Sequence, residues 1–245
     1  KFYTHMGYEV TKAKDNWQYS RSYTFNYAIP FWHEGISANY VVVPGKFGTS
    51  LYLLNAWDGR ISQESNKSST VGANFNFIPV DGLVANYNYI GGIETSATDA
   101  VREVHEVNVA YNLNSMFSFA TDLVFGSQKK VGTVDARWSG VAFYAKAALN
   151  DWYILSPRYE TFDDSDQGFA ISGGLAGPSI STSLRCLNCS SSSGIIDFTT
   201  NPLLDTGKTS DELESFCEPS CAIATEPLKT IDAIKSDFIF ISPFF

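Results

Sequence analysis

The sequence predicts an all-β fold, an antiparallel up-and-down transmembrane β-barrel of which part is present, followed by an irregular C-terminal tail. From about residue 36 to residue 174, short segments alternate apolar and polar side chains, as strands with one apolar face do. The connections between these segments alternate between short turns and long loops. Barrels that cross an outer membrane have this layout, with tight turns on one side and larger loops on the other.

The composition is compatible with such a barrel and excludes other classes of protein. The chain has 245 residues, of which 17 are basic and 26 acidic, so its net charge is −9. This balance argues against a nucleic-acid partner, which would need a basic patch. A run of 18 apolar residues is absent, which excludes a transmembrane helix. Strands of a membrane barrel face lipid on one side only, so half of their residues are free to be polar.

The predicted strands show the alternation residue by residue. In the segment 69–78, Val71 and Phe75 alternate with Asn74 and Asn76, so that one face is apolar and the other polar. Later segments repeat this pattern. We expect roughly nine strands, at 36–43, 47–56, 69–78, 83–90, 103–111, 116–125, 133–148, 152–161 and 168–174.

The connections favour a membrane barrel over a soluble one. Short turns are expected at 43–46, 79–82, 112–115 and 150–151, and long loops at 57–68, 91–102, 126–132 and 162–167. A soluble β-sandwich or lipocalin-like barrel would show the same alternation with its apolar face turned inward. Three features favour an outward apolar face: the strict turn alternation, Tyr and Trp residues near strand ends, and full charges on the polar face.

The composition changes near residue 175. Every Tyr and Trp lies at or before Tyr159, whereas all four cysteines lie beyond it, at Cys186, Cys189, Cys217 and Cys221. We therefore assign residues 1–174 to the partial barrel and leave 175–245 as an unassigned tail. Three interpretations stay open: a disordered or loosely attached extension, a divergent continuation of the barrel, and an out-of-frame translation of the missing strands.

The segment 7–35 is too long for a plain surface loop, and long loops are usually functional. It mixes charges with aromatic residues, and we hypothesise that it folds into the lumen and narrows the pore, where charges of both signs would select solutes. The alternative is a further strand pair between residues 23 and 31. The candidate pore-lining residues are Arg21, His33 and Glu34 on the segment and Asp122, Arg137, Arg158 and Glu160 on the wall.

Motifs for catalysis or metal binding are weak. The three histidines form no His-Glu-x-x-His pattern, and the sequence contains no Gly-x-Ser-x-Gly elbow. His105-Glu106 on a strand offers a catalytic pair, but a single strand histidine is more often a lumen or rim residue. The cysteines offer zinc ligands or disulfides with similar weight. We expect no catalytic residue, no metal and no cofactor.

Several spaced elements resemble the signature of the OmpL-like outer-membrane β-barrel porin family. The matching residues are Gly7, Tyr8, Glu9, Asn16, Tyr19, Ser20, Arg21, Ser22, Phe25, Ala28, Ile29, Pro30, Phe31, His33 and Gly35, with Asn55, Trp57 and Asp58 at a later strand end. Ala56 and Thr161 depart from the family's usual residues. The resemblance covers about residues 1–174 and implies a pore-forming barrel in a Gram-negative outer membrane, truncated at both ends.

The expected function is passive diffusion of small hydrophilic solutes or ions through a water-filled lumen. The expected partners are outer-membrane lipid and the solutes, and assembly into a homo-oligomer stays open. Two alternatives belong to other classes: a soluble β-sandwich or barrel that binds a ligand, and an outer-membrane barrel enzyme that uses His105. The resemblance names no solute.

Overall fold

The computed structural model describes residues 1–58, 68–95, 100–131, 134–165, 170, 175–186 and 195–200. The chain divides into two compact units, Lys1–Leu204 and Asp205–Phe245, and the described residues all belong to the first. The strands are β1 Phe2–Tyr3, β2 Trp32–His33, β3 Gly35–Val43, β4 Phe47–Leu54, β5 Thr70–Phe77, β6 Leu83–Thr95, β7 Ala100–Asn112, β8 Phe117–Val131, β9 Val134–Ala148, β10 Tyr153–Asp163, β11 Leu175–Cys186 and β12 Ile195–Thr200.

Strands β3 to β12 form one ten-stranded sheet in which every strand pairs antiparallel with its neighbours in chain order. Within the part of the chain that the structure describes, the sheet ends at β3 and β12 and is not closed. Strands β1 and β2 form a separate two-stranded sheet. This meander confirms the predicted all-β, antiparallel, up-and-down fold.

The two faces of the large sheet differ in exposure and polarity. Apolar side chains on one face, here the outer face, are widely exposed: Leu51 is 59%, Phe125 58% and Phe143 51% accessible. The opposite, inner face carries buried polar residues such as Asn88 and Glu106. An exposed apolar face of this extent would be unfavourable in water and is the face a membrane barrel turns to lipid.

Several predicted strands are longer in the structure. Strand β6 ends at Thr95, β7 begins at Ala100 and β8 ends at Val131. Much of the predicted loops 91–102 and 126–132 is therefore strand. The predicted strand 168–174 lies outside the described residues except for Ala170.

The sheet also extends past residue 174, the boundary that the sequence predicted, because β11 and β12 continue it to Thr200. Loss of Tyr and Trp residues marks the predicted boundary, but ladder hydrogen bonds need neither side chain. On β11, Ile180 faces outward while Ser179, Ser181 and Ser183 face inward, so alternation persists with small residues.

The remaining regular structure is short. One 3-10 turn spans Ala13–Asp15 and one π-helical turn spans Thr24–Ala28. Within the described ranges, no helix has the length and apolar character that crossing a bilayer requires.

Candidate functional site

Residues 1–34, here called the inner segment, pack against the inner face of the sheet. Its buried apolar side chains Met6, Phe25, Ala28 and Ile29 share one core cluster with side chains of the sheet. The sheet's buried contributions to that cluster are Tyr52, Leu54, Ile90, Val104, Val124, Trp138 and Phe162. The sequence-based hypothesis of an inward-folded segment agrees with this packing.

The register of the strands sorts the inner face into rows. A row toward the long loops is largely apolar and contains Tyr52, Gly72, Ile90, Val104, Gly126 and Trp138. The next row contains Ser50, Asn74, Asn88, Glu106, Val124 and Gly140. A third contains Gly48, Asn76, Asn86, Asn108, Asp122, Ala142 and Glu160. The core cluster around the apolar anchors includes Tyr52, Ile90, Val104 and Trp138 of this first row. The carboxylates that bind the inner segment, Glu106, Asp122 and Glu160, lie in the next two rows.

Two glycines in strand interiors leave room for the inner segment. A Cβ atom at Gly72 would lie 2.6 Å from Cε1 of His5, and one at Gly140 would lie 2.8 Å from Cγ2 of Thr24. Glycine weakens a strand and often marks a close approach of other groups. The wall is thus shaped to receive the segment.

Arg158 on β10 is the centre of the polar contact between the wall and the inner segment. Its side chain is 2% exposed and pairs with Glu9 at 3.1 Å and with Glu160 at 3.0 Å. Its remaining donors reach the carbonyl oxygens of Ser20 at 2.8 Å and Arg21 at 3.0 Å. A guanidinium has five donors in a rigid fork, so one side chain binds three parts of the site.

Carboxylates of the wall accept hydrogen bonds from the inner segment. Glu106 accepts from the backbone N–H of Gly7 at 2.6 Å. Glu160 accepts from the N–H of Tyr23 at 2.6 Å. Asp122 accepts from the Thr24 hydroxyl at 2.8 Å. Gly7 has φ of +95°, a left-handed conformation that glycine adopts without strain and that directs its N–H to the wall.

Glu9 serves the same contact from the segment side. It accepts from the N–H of Ser22 at 2.9 Å as well as from Arg158. Burial raises the pKa of Glu9 above its usual range, and the Arg158 guanidinium opposes that shift. Burial of the charged carboxylate therefore costs desolvation free energy, which the ion pair with Arg158 offsets.

A second anchor lies toward the short-turn side. Gln18 donates to the carbonyl oxygen of Ser156 at 2.6 Å and accepts from the Ser181 hydroxyl at 2.8 Å. Arg185 donates to the carbonyl oxygen of Asn16 at 2.8 Å. Ser181 and Arg185 belong to β11, so the part of the sheet beyond the predicted boundary also holds the inner segment.

Two histidines complete the packing near the long loops. The ring of His5 stacks on Tyr52 with centroids 4.1 Å apart, and its Nε2 donates to the carbonyl oxygen of Tyr89 at 2.9 Å. His33 is fully buried, with Nε2 3.0 Å from the hydroxyl of Thr4. Burial lowers the pKa of His5 to about 4 and that of His33 to about 3. Both rings are therefore neutral near pH 7.

The predicted pore-lining residues fall into three groups. His33, Asp122, Arg158 and Glu160 are buried, and their contacts hold the inner segment. Arg21 and Glu34 are half-buried, and the Arg21 guanidinium donates to the carbonyl oxygen of Thr11 at 2.5 Å and lies over the Phe25 ring.

Arg137 is placed differently from the sequence-based hypothesis. It is exposed and shares the outer face with Phe143, because both are an even number of residues apart on β9. The predicted inner-face position of Arg137 is therefore wrong. The alternative strand pair between residues 23 and 31 is also replaced, by the π-helical turn Thr24–Ala28.

Sequence reasoning missed Glu106, Gln18 and the two glycines as parts of this site. The strand pattern contained a usable signal for three of them. Glu106 shares the polar parity of Asn108, and Gly72 and Gly140 interrupt strands on that same face. For Gln18, inside an irregular segment, we find no such signal.

The predicted alternative catalytic residue, His105, lies on the outer face. It is exposed, hydrogen-bonds with the hydroxyl of Tyr87 at 2.7 Å, and has Tyr89 and Phe125 as register partners. These neighbours are aromatic. Of the cysteines, only Cys186 lies within the described residues, at the end of β11.

The sheet is a meandering antiparallel sheet with an exposed apolar outer face and a polar inner face that holds a segment of its own chain. This arrangement is typical of a β-barrel of porin type. The family model described as "Putative beta-barrel porin-2, OmpL-like" matches residues 1–208. The chain belongs to this family. The match confirms the resemblance and extends it past residue 174, as the sheet does. No curated protein and no solved structure matches the chain.

The residues that carry the resemblance are concentrated at the contacts just described. Gly7, Glu9, Ser20 and Arg21 bind the wall or Arg158 through backbone or side-chain atoms. Asp58, at the later strand end, accepts from the N–H of Phe31 at 3.4 Å. In this chain these signature residues therefore make contacts that dock the inner segment on the wall.

Proposed function

We propose that this chain forms the wall and the constriction of a channel in the outer membrane of a Gram-negative bacterium, through which small hydrophilic solutes or ions diffuse passively. The observation that supports it best is the docking of residues 1–34 on the polar inner face while the apolar outer face stays exposed. The mechanism needs no catalytic residue.

The bilayer supplies the first part of the argument. Hydrocarbon cannot satisfy backbone polar groups, so spanning sheets close on themselves and turn a largely apolar face to lipid. The outer face fits the second requirement, because large apolar side chains such as Leu51, Phe125 and Phe143 are exposed on it. Closure of the sheet, through further strands or through a second copy of the chain, is part of the proposal.

The inner segment supplies the second part. It lies across the inner face and so narrows any passage that runs beside it. Arg21 and Glu34 are half-buried and carry opposite charges. Charged groups of both signs at a constriction create a transverse field that selects solutes by size and charge. We assign the lining role to these two residues and a holding role to Asp122, Arg158, Glu160 and His33.

Conductance of the protein in planar bilayers tests the proposal. The protein is first refolded with and without detergent micelles. We expect a β-sheet circular dichroism spectrum and a heat-sensitive gel mobility with detergent and neither without it. Arg21→Ala should then change single-channel conductance or ion selectivity. Arg137→Ala, which removes the same charge from the outer face, is the matched control and should change neither.

Two results would contradict the proposal. A folded, monodisperse protein in plain buffer would favour a soluble binding protein. Hydrolysis of a lipid ester that disappears in His105→Ala would favour a barrel enzyme.

A further inference from the structure

A ladder of asparagine side chains crosses the inner face on β5, β6 and β7. Asparagine is depleted in strands, so its concentration on one face of three adjacent strands needs an explanation. The register places Asn76 beside Asn86 and Asn86 beside Asn108, on strands about 4.8 Å apart. The members of the ladder are Asn74, Asn76, Asn86, Asn88 and Asn108.

Hydrogen bonds orient the ladder toward Glu106. Asn76 Nδ2 donates to Asn86 Oδ1 at 2.8 Å, and Asn86 Nδ2 donates to Asn108 Oδ1 at 2.9 Å. Asn108 Nδ2 then donates to the Glu106 carboxylate at 2.9 Å. A parallel path runs from Asn74 through Asn88 to the same carboxylate. A carboxylate accepts and does not donate, so it fixes the direction of every amide.

Part of the ladder is accessible from the inner space. Asn74, Asn88 and Asn108 are at most 6% exposed, whereas Asn76 and Asn86 are half-buried. An amide nitrogen has two hydrogens and an amide oxygen two lone pairs, and each ladder bond uses one of them. The accessible amides therefore offer further donors and acceptors in a fixed orientation.

The carboxylates beside the ladder are buried and already bound, and Glu106 is 0% exposed. Asp122 and Glu160, in the same row, are 2% exposed and bound to the inner segment. Tyr8 and Trp17 are partly buried against the cluster that contains Ala110, two residues along β7 from Asn108. The wall and the inner segment together thus combine oriented amides with aromatic surface.

We propose that this ladder is a binding subsite for neutral, polyhydroxylated solutes, that is, saccharides, within the channel. The inference rests on the proposed function. A hydroxyl group both donates and accepts, so neighbouring hydroxyls match a wall that presents donors and acceptors alternately. A cation would lose hydration there without reaching an accessible carboxylate, because Glu106, Asp122 and Glu160 are at most 2% exposed.

The test is the block of KCl current by maltose in planar bilayers that contain the full chain. Polyethylene glycol of the same hydrodynamic size is the reference solute, because its ether oxygens only accept. We expect maltose to block the wild-type current at lower concentration than the polymer. In Asn76→Leu/Asn86→Leu the half-blocking concentration of maltose should rise about tenfold, since two hydrogen-bonding sites are lost.

Controls separate the subsite from the channel and from folding. Asn26→Leu changes an exposed asparagine of the inner segment outside the ladder and should leave the maltose block unchanged. If the double variant loses its heat-sensitive gel mobility, Asn86→Ser replaces it and should weaken the block several-fold. Equal block by maltose and polymer in a channel that conducts KCl would overturn the subsite and leave the proposed function standing. Absence of any conductance would overturn the proposed function itself.

Discussion

Replacing Arg158 by methionine should release the inner segment from the wall. The change keeps an unbranched apolar stem and removes the guanidinium group with its charge and donors. It leaves the Glu9 and Glu160 carboxylates, each about 4% exposed or less, without the cation that pairs with both. It also leaves the carbonyl oxygens of Ser20 and Arg21 without their donor.

The expected cost follows from the burial of the pair. Removing one partner of a buried salt bridge destabilises by about 3–5 kcal/mol, because the remaining charge stays buried and uncompensated. At 1.4 kcal/mol per factor of ten, this shifts the equilibrium between docked and released segment by about two to three and a half orders of magnitude. Solvent does not screen this pair appreciably, since Arg158 is 2% exposed.

Two assays measure the effect. Chemical unfolding in detergent micelles should show the loss of free energy, and limited trypsin digestion should show faster cleavage after Lys12 and Lys14 once the segment is released. Arg137→Met is the matched control, because Arg137 is exposed on the outer face and surface changes usually stay within about 0.5 kcal/mol. A loss below about 1 kcal/mol with an unchanged digestion pattern would refute the assigned role of Arg158.

Two further perturbations test the same docking. Gly140→Leu should displace the inner segment and so raise conductance and trypsin cleavage, because a Cβ atom at Gly140 already lies 2.8 Å from Thr24. Gly48→Leu is the control and should change neither, because the nearest neighbour of a Cβ atom there is 3.7 Å away. Acidification should weaken the contribution of His5 to docking, because burial lowers the pKa of His5 from 6.5 to about 4. Below pH 6.5 the His5 ring binds a proton in the released state but stays neutral in the docked state. The His5 contribution to the free energy of docking is therefore complete above pH 6.5 and decreases by about 3 kcal/mol as the pH falls to about 4. Trypsin cleavage that stays constant between pH 7 and pH 4.5, or that rises equally in His5→Gln, would contradict this.

Much of the fold was predictable because strand alternation is a local property. An apolar face is predicted from side chains only a few residues apart in sequence, such as Val71 and Phe75 or those around Phe125. In the structure these three side chains are exposed on the outer face. The end of the sheet was predicted too early because aromatic content was used as its marker. Strand β11 keeps the alternation with Ile180 outward and serines inward, and its ladder with β10 depends on backbone groups that every residue carries.

The candidate site was only partly predictable because it joins residues far apart in the chain. Arg158 and Asp122 were recognised as charges on the polar face. Their contacts with the Arg21 carbonyl oxygen and the Thr24 hydroxyl depend on how the segment folds. Arg137 was assigned to the wrong face because a charge was taken as a sign of the lumen. Its parity with Phe143 was already visible in the sequence and outweighs its charge.

The sequence by itself determined the strand class, the antiparallel order, the apolar face and the family, because each follows from side-chain alternation, turn spacing or ordered motifs along the chain. Only the tertiary structure decided that Glu9, Arg158 and Glu160 form one buried network and that Gly72 and Gly140 make room for the inner segment. The physical reason is register. The register of strand pairing sets which residues of neighbouring strands lie side by side in a row. The side chains of each row then determine which contacts the inner segment makes.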